Sequence, residues 1–567
     1  MFGRGNCASG MAEVEDLPTM KSKKEKVEMK KAEKEELEEE NARMLAAVAF
    51  AVVLICIGLP LWWKTTQVYR VALPYEKIAS LRAQEEQGLS LKLTLLTIEE
   101  ARGTQLCADF DTVFRISKLF RISCTNRALN PSEKAVIGGV QNLAELDRLD
   151  IIPVEIGNIL LVEVPGMLRL TQNQIVLGSK RALFFSSETG AKKLAMVLNE
   201  WLLREETITH TLKAMRAPTL AGKSKEARTR VPPTVGSLDI LLSLAVPSPE
   251  EIKVDWDITA AIEDYLHPFL KEMSSISNFS VKSQVTYFAT LGVRKKAVNT
   301  IELGPHYAIQ EELLPQIISP LEKKIGSHVS TSASLCLVLY IPGCTEAPLH
   351  FYTKKGQVVP TNAIISARWG GLVVLNPPKH ACKNDDEPAE MRVQTLKVMG
   401  LFLAQLRQLL GIPELDPIPS AEMLPLMEAE PRLWEIDSLM RTRALEQVTS
   451  ATLTLQSLSK LLGQIGNIVI GDEVGRSIFV ATEHAHRAEA LLSQGHLKEG
   501  FDVARVAFLE SESAFTDPSL LALLYFPDDQ KYAVYIPLFL PVMIPVLMSL
   551  KTIKNWIFKK LGKSKRD

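Results

Sequence analysis

Residues 44–63 read MLAAVAFAVVLICIGLPLWW, twenty positions without a charge, held between Arg43 and Lys64. At ~1.5 Å per residue a helix of that length reaches about 30 Å, the thickness of a bilayer's hydrocarbon core. A second uncharged run, YAVYIPLFLPVMIPVLMSL at 532–550, lies between Lys531 and Lys551. Trp62 and Trp63 close the first run, and Tyr532 and Tyr535 open the second, where interfacial aromatics belong. The first run is longer than a signal peptide's apolar region and closes on Leu-Trp-Trp-Lys instead of a small-residue cleavage site, so it reads as an uncleaved anchor. Two membrane spans then bracket everything else.

Orientation follows from the basic flanks. Lys551, Lys554, Lys559, Lys560, Lys563, Lys565 and Arg566 follow the second span, whereas the stretch before it holds only Lys531. Positive charge stays on the cytosolic side, so the C-terminus is expected there, and two crossings bring the N-terminus to the same side. The expected division is a charged cytosolic arm at 1–43, a transmembrane helix at 44–63, a lumenal α/β domain at 64–411, a lumenal helical segment at 412–531, a second transmembrane helix at 532–550 and a basic cytosolic tail at 551–567. Asn278-Phe279-Ser280 is an acceptor sequon on the lumenal side, and Asn130-Pro131-Ser132 is excluded by its proline. Asn278 is therefore the expected glycosylation site, between a predicted helix and a predicted strand.

Composition fits a globular body. The chain has 567 residues, 46% of them hydrophobic and 23% charged, with 65 basic against 66 acidic side chains and a net charge of −1. That balance lacks the basic excess with which a nucleic-acid binder displaces counterions, so no nucleic-acid partner is expected. Seven cysteines in this length do not make a disulfide framework. Five fall on the lumenal side, namely Cys107, Cys124, Cys336, Cys344 and Cys382; an odd number leaves at least one unpaired or bound to another chain. Residues 1–43 carry nine basic and eleven acidic side chains, too little apolar area to offset the entropy of ordering. Lys24/Glu28, Lys31/Glu35 and Lys34/Glu38 sit four apart, as in a solvated helix.

Between the spans, short β-rich runs alternate with helical patterns as far as about residue 412. Leu89–Ile98, Ile151–Val164 and Gln174–Ser186 read as strands or hairpins, and Ala191–Met215 as a helix. Leu238–Val246 is a strand, Trp256–Ser275 a helix, Val281–Val293 a strand and Leu313–Ile325 a helix. Leu335–Ile341 and Ile364–Leu375 are strands, followed by a helix over Met391–Leu410. Such alternation predicts a layered α/β fold with a mixed sheet. Beyond the proline-rich connection at 411–431 the β signal ends, and Leu445, Val448, Ala451, Leu455, Leu458, Leu462 and Ile465 mark a helical stripe. Further helices are expected around the turn Ser493-Gln494-Gly495. Ala217–Gly236 reads as a loop, and no fixed-period repeat is visible.

No nucleophile elbow, phosphate loop, His-Glu-x-x-His or Cys-x-x-Cys occurs. Cys336, Cys344 and His350 form the richest cluster, yet Cys336 sits in an apolar run where a buried structural thiol is expected. His484 and His486 are two apart, which on a helix points them to different faces. Arg368-Trp369-Gly370-Gly371 reads first as a tryptophan packed at a glycine-permitted turn. The Asp528-Asp529 pair supplies too few oxygens for a metal. No catalytic residue, metal or cofactor is expected. Pro537, Pro541 and Pro545 recur every four residues in the second span, each removing a backbone donor, which suits a span packed among neighbours.

Several motifs carry a family resemblance. Leu59-Pro60-Leu61-Trp62-Trp63-Lys64-Thr65-Thr66 with Tyr69-Arg70 and Leu73-Pro74-Tyr75 is similar to the first span and exit of PIG-S, the phosphatidylinositol-glycan class S subunit of the GPI transamidase. Trp256-Asp257-Ile258, Asn278-Phe279-Ser280-Val281, Ala367-Arg368-Trp369-Gly370-Gly371 and Phe402-Leu403-Ala404-Gln405-Leu406-Arg407 add to it. So does 517–541, with Asp517-Pro518-Ser519-Leu520-Leu521, Leu524-Tyr525-Phe526-Pro527-Asp528-Asp529-Gln530-Lys531 and Tyr535-Ile536-Pro537-Leu538-Phe539-Leu540-Pro541. Resemblance is faint over 84–236, and the charged arm is longer than the family's short start. The resemblance implies an endoplasmic-reticulum membrane glycoprotein that supports GPI-anchor attachment to precursor proteins without being the enzyme, the catalytic cysteine lying on PIG-K. It implies PIG-K, PIG-T, PIG-U and the GPI anchor attachment subunit as partners, with precursor protein and GPI lipid met through the complex. The weighed alternatives are an independent lumenal thiol hydrolase and a free-standing membrane receptor or tether.

Overall fold

The computed structural model describes the chain except for residues 1–20, 67–68, 82–87, 150, 152, 218–236, 326–331, 368, 379–381, 383–387, 427–428, 466–467, 523–527 and 564–567. Cys7, most of the loop expected at 217–236 and Arg368 lie outside the described residues. The chain forms two compact units, one of Met1–Ala72, Leu462–Asp472 and Asp517–Asp567, the other of Leu73–Leu461 with Glu473–Thr516.

The first unit begins with helix α1 (Lys21–Val53), carried on by a π-helical turn at Leu54–Gly58 and by α2 (Leu59–Thr66). Lys34 and Glu38, four apart, form the expected exposed pair at 4.0 Å. Over Val27–Gly58 the helix is long and apolar enough to cross a membrane, and Leu45, Phe50, Val52, Val53, Ile55 and Ile57 are exposed on it.

The second unit starts with α3 (Tyr75–Ser80) and is dominated by two α/β layers. The first contains β1 (Leu89–Thr97), α4 (Glu100–Phe114), β2 (Phe120–Ala128), α5 (Pro131–Gly138), α6 (Leu143–Arg148), β3 (Ile159–Glu163), β4 (Ile175–Leu177) and β5 (Ala182–Phe185). A helix follows in two parts, α7 (Ala191–Val197) and α8 (Glu205–Arg216), joined by a π-helical turn at Leu198–Leu203. The strands lie in the order β4-β5-β3-β1-β2. All are parallel except β4, which runs against β5. All five residues of β3 are buried, as a parallel strand covered on both faces requires.

The second layer contains β6 (Ser237–Val246), β7 (Ile252–Asp255), α9 (Ile258–Ala261), α10 (His267–Met273), β8 (Asn278–Tyr287), β9 (Lys296–Thr300), β10 (Gly304–Gln310) and α11 (Leu314–Ile325). It continues through β11 (Ala333–Tyr340), β12 (Leu349–Tyr352), β13 (Ala363–Ser366), β14 (Gly370–Val374), β15 (Ala389–Arg392) and α12 (Thr395–Leu410). Its main sheet is β13-β14-β11-β6-β8, parallel except for β13 against β14. Strand for strand this is the first sheet again, with β6, β8, β11, β13 and β14 standing for β1, β2, β3, β4 and β5.

The duplication reaches below topology. The third strand of each layer runs into Val164-Pro165-Gly166 or Ile341-Pro342-Gly343, and a left-handed residue follows a helical stretch in each, Arg204 at φ 52° between α7 with its π-helical turn and α8, and Gly411 at φ 96° after α12. The expectation of no repeat therefore holds only for fixed spacing. The second copy is lengthened by insertions, chiefly the sheet β12-β10-β9 and the pair β7–β15, which destroys the period. Other differences from expectation are local. Residues 100–148, unassigned from sequence, form α4, β2, α5 and α6; among the described residues, Ile151–Val164 contains only β3 and Ile364–Leu375 contains two strands; and Met391–Arg392 belong to β15, so the helix starts at Thr395.

A short strand β16 (Ala421–Met423) extends the first sheet beside β4. Then come α13 (Leu433–Gln464), α14 (Asp472–Gln494) and α15 (Leu497–Thr516), with Gly495 at φ 89° making the turn between the last two. Trp434, Leu439, Met440, Leu445 and Val448 of α13 bury into the core of the α/β layers. A buried pair fixes it there: Asp437 accepts from Arg181 Nε at 2.6 Å and Nη2 at 2.9 Å, and from the Gly157 amide at 2.9 Å.

The first unit is completed by α16 (Pro518–Ala522) and α17 (Asp528–Lys563). Helix α17 runs unbroken through Pro537, Pro541 and Pro545 and packs beside α1. Ile536, Leu538, Leu540, Leu547 and Met548 are exposed along it. The exit from α2 is tied down by Tyr69, whose hydroxyl donates to Asp472 at 2.8 Å, and by Arg70, which donates to the Leu462 carbonyl.

Candidate functional site: the carboxyl edges of the two sheets

In an open α/β sheet a ligand sits outside the carboxyl ends of the strands, where the strand order reverses. That point lies between β1 and β3 in the first layer and between β6 and β11 in the second. Glu163, the last residue of β3, occupies the first. Its side chain is 2% exposed; it accepts the Ile98 amide at 2.8 Å and pairs with Arg102 at 3.4 Å. Lys134 donates to the Ile98 carbonyl at 2.9 Å.

The second crevice is closed by another glutamate. Glu251, in the turn after β6, accepts the Thr345 amide at 3.2 Å and the Thr345 hydroxyl at 3.4 Å. Gly343 permits this closure, because a Cβ there would lie 2.8 Å from both Glu251 Oε2 and Ser248 Oγ. In each layer a carboxylate at the carboxyl edge links the end of the third strand, or the turn after it, to the turn after the first. Sequence reading missed both glutamates. The repeated Pro-Gly after an apolar strand was the available signal.

The cysteines resolve as two pairs and a remainder. Cys107 bonds to Cys124 and Cys344 to Cys382; among the described residues Cys336 is left free and buried in the body, and Cys56 free and exposed in the first span. Burial, with Glu322 nearby, pushes the Cys336 thiol up to about 12, so at neutral pH it is not a thiolate nucleophile. His350 on β12 meets His306 edge to face at 5.4 Å, and its basicity is lowered by burial and then by His306. His306 itself is held by the Gly304 carbonyl at 2.7 Å and the Tyr352 hydroxyl at 2.6 Å. A carbonyl only accepts, so Nδ1–H is the donor to Gly304. Cys344 is spent in a disulfide, and the cluster of Cys336, Cys344 and His350 makes no thiol–base pair.

The remaining candidates have structural roles. His484 Nδ1 lies 2.9 Å from the Val480 carbonyl and His486 Nε2 3.0 Å from that of Lys77. No group of three or more potential metal ligands occurs among the described residues. Trp369 is buried at the turn between β13 and β14. Gly370, at φ 146°, would place a Cβ 1.8 Å from the Cys336 carbonyl oxygen. Gly371 leaves room for Gln405 of α12, whose amide donates to the Ile364 and Leu372 carbonyls at 3.1 and 3.4 Å. Two motifs distant in sequence thus form one joint. Asn278 is exposed at the start of the edge strand β8, not in the connection before it as expected. For Asp528 and Asp529, only their place at the start of α17 is described.

Comparison with known proteins finds matches over nearly the whole chain. Residues 49–560 match the family described as Phosphatidylinositol-glycan biosynthesis class S protein. The GPI-anchor transamidase component PIGS of Bos taurus is 36% identical over 547 residues, covering 90% of this chain and 96% of its own. That of Homo sapiens is 34% identical over 553 residues with the same coverage. The GPI transamidase component PIG-S homolog of Schizosaccharomyces pombe is 23% identical over 528 residues, covering 92% of this chain and 85% of its own. Taken with the family match, these identities show that the chain belongs to the phosphatidylinositol-glycan biosynthesis class S family.

Proposed function

We propose that this chain is a noncatalytic structural subunit of a GPI transamidase, supporting the attachment of GPI anchors to the C-termini of precursor proteins in the endoplasmic reticulum. Its relatives are named as components of that enzyme. The observation that carries the accessory role is the closure of both crevices by Glu163 and Glu251. The cysteine pairing adds to it, since no thiol in the body is both free and exposed among the described residues.

On this reading PIG-K carries the nucleophile, and PIG-T, PIG-U and the GPI anchor attachment subunit complete the assembly. The chain crosses the membrane at 44–63 and 532–550, with 1–43 and 551–567 cytosolic and the α/β domain (64–411) and helical segment (412–531) lumenal. Exposed apolar side chains on α1 and α17 and the basic residues after Leu550 support that topology. Asn278, exposed and in a sequon, carries a glycan. Anchoring at both ends confines the body to a thin layer beside the bilayer and raises its effective concentration for assembly. The test is purification of the tagged chain in mild detergent. Stoichiometric co-purification of the other subunits, with anchor transfer lost when the chain is depleted, is expected. Recovery of the chain alone would overturn the reading in favour of a free-standing tether.

A further inference from the structure

Asn278, exposed at the start of β8, stands at an open concavity instead of on a flat face. It lines a cleft of about 790 Å³, in the size range of small-ligand sites. A second wall comes from the helical stretch ending in α10, where Glu263, His267, Lys271 and Ser274 recur every three or four residues and so share one face. Glu263, His267 and Lys271 are exposed, and no ion pair or side-chain hydrogen bond engages them among the described residues. Pro268 and Phe279 add apolar surface, and Glu430 adds a carboxylate.

Unengaged carboxylate, imidazole and ammonium groups beside apolar carbon suit a sugar. Its hydroxyl and acetamido groups exchange hydrogen bonds with the charged side chains, while the ring face packs on the apolar wall. A sugar chain joined to Asn278 starts inside this cleft. Contacts too weak to hold a free saccharide then suffice, because covalent attachment sets a high effective concentration. We propose that the cleft binds the first two N-acetylglucosamine units of the glycan on the chain's own Asn278. This rests on the reading of Asn278 as a glycan acceptor. The bound sugars join α10 to β8 and cover the start of a strand that has no neighbour on its outer edge among the described residues, an edge that otherwise invites association.

The experiment uses the full-length chain purified with its partners in detergent. Mass spectrometry of the Asn278 peptide first reads occupancy, and peptide-N-glycosidase F, which cleaves the bond between Asn and sugar, is then applied to the native protein. Release should be about tenfold slower from the native chain than from a Glu263→Ala/His267→Ala/Lys271→Ala variant. The two should release equally fast after unfolding. Lys271→Ala alone should give an intermediate rate if the triple variant is poorly folded. Equal native rates from an occupied site would overturn sugar binding while leaving the acceptor reading intact. An unmodified Asn278 peptide would remove the acceptor reading, and the proposal with it.

Discussion

In the first α/β layer Glu163 is almost fully buried, paired with Arg102, and its sheet is pinned to α13 by Arg181 and Asp437. In the second layer the matching crevice is closed by the half-exposed Glu251 through hydrogen bonds to Thr345 alone. Its edge strand is tied by Lys282, 55% exposed, to Asp239. One strand order is therefore finished in two ways, the first layer by buried charge and the second by insertions, glycines and a disulfide outside the main sheet. Two layers of one strand order thus bridge the same position with a carboxylate, buried in the first and part-exposed in the second.

The sharpest contrast lies between the two ion pairs. Removing one partner of a buried pair strands the other's charge, so Asp437→Ala, which leaves Arg181 behind, should cost about 3–5 kcal/mol. Lys282→Ala, at an exposed pair, should cost about 0–1 kcal/mol. Urea unfolding of the two variants side by side measures both. Similar losses would mean that the second layer is held by charge as firmly as the first.

Disulfides reverse the ranking. Cys107 and Cys124 are 17 residues apart and Cys344 and Cys382 are 38 apart. By chain entropy the first should contribute about 3 kcal/mol and the second about 4 kcal/mol. Paired Cys→Ser variants, compared by thermal unfolding, check that order. Smaller effects are expected at the crevices. Glu163→Gln should lose about 1.5–3 kcal/mol, as for hydrogen bonds to charged groups, and Glu251→Gln about 1 kcal/mol or less. Calorimetry that ranks them the other way would break the contrast between buried and half-exposed closure.

The smallest effect is a pH dependence confined to the second layer. Burial and then His306 hold His350 below its ordinary value. As pH falls through about 6.5, the unfolded chain takes up this proton before the folded chain does. The stability in question is complete above about pH 6.5 and is lost toward the lower folded value. Wild type should therefore lose more stability than His350→Phe between about pH 7 and 5. Equal slopes would show that His350 does not contribute.

Legibility from sequence followed burial. β1, β6 and β11 are apolar runs inside the sheets and were read almost to the residue. β2 was not read, because it is an edge strand with Arg121, Ser123, Asn126 and Arg127 on partly exposed positions. Helix α4 was hidden by Gly103 and a weak apolar stripe. The duplication escaped because the two copies share a strand order and a Pro-Gly turn but differ in length by the inserted β9, β10 and β12. Both closing glutamates were invisible for a related reason. One ends a buried strand and the other lies in a turn, and only the folded sheet brings the turn after each first strand to the turn after each third.

The central claim is that this chain contributes architecture and no reacting group. Cys336→Ser combined with His350→Phe removes the one free thiol found in the described body and the imidazole once grouped with it, and leaves both disulfides in place. GPI-anchor transfer should be measured on purified assemblies and normalised to intact complex. The account predicts the wild-type rate per complex. A loss of transfer in complexes that retain every subunit would contradict it.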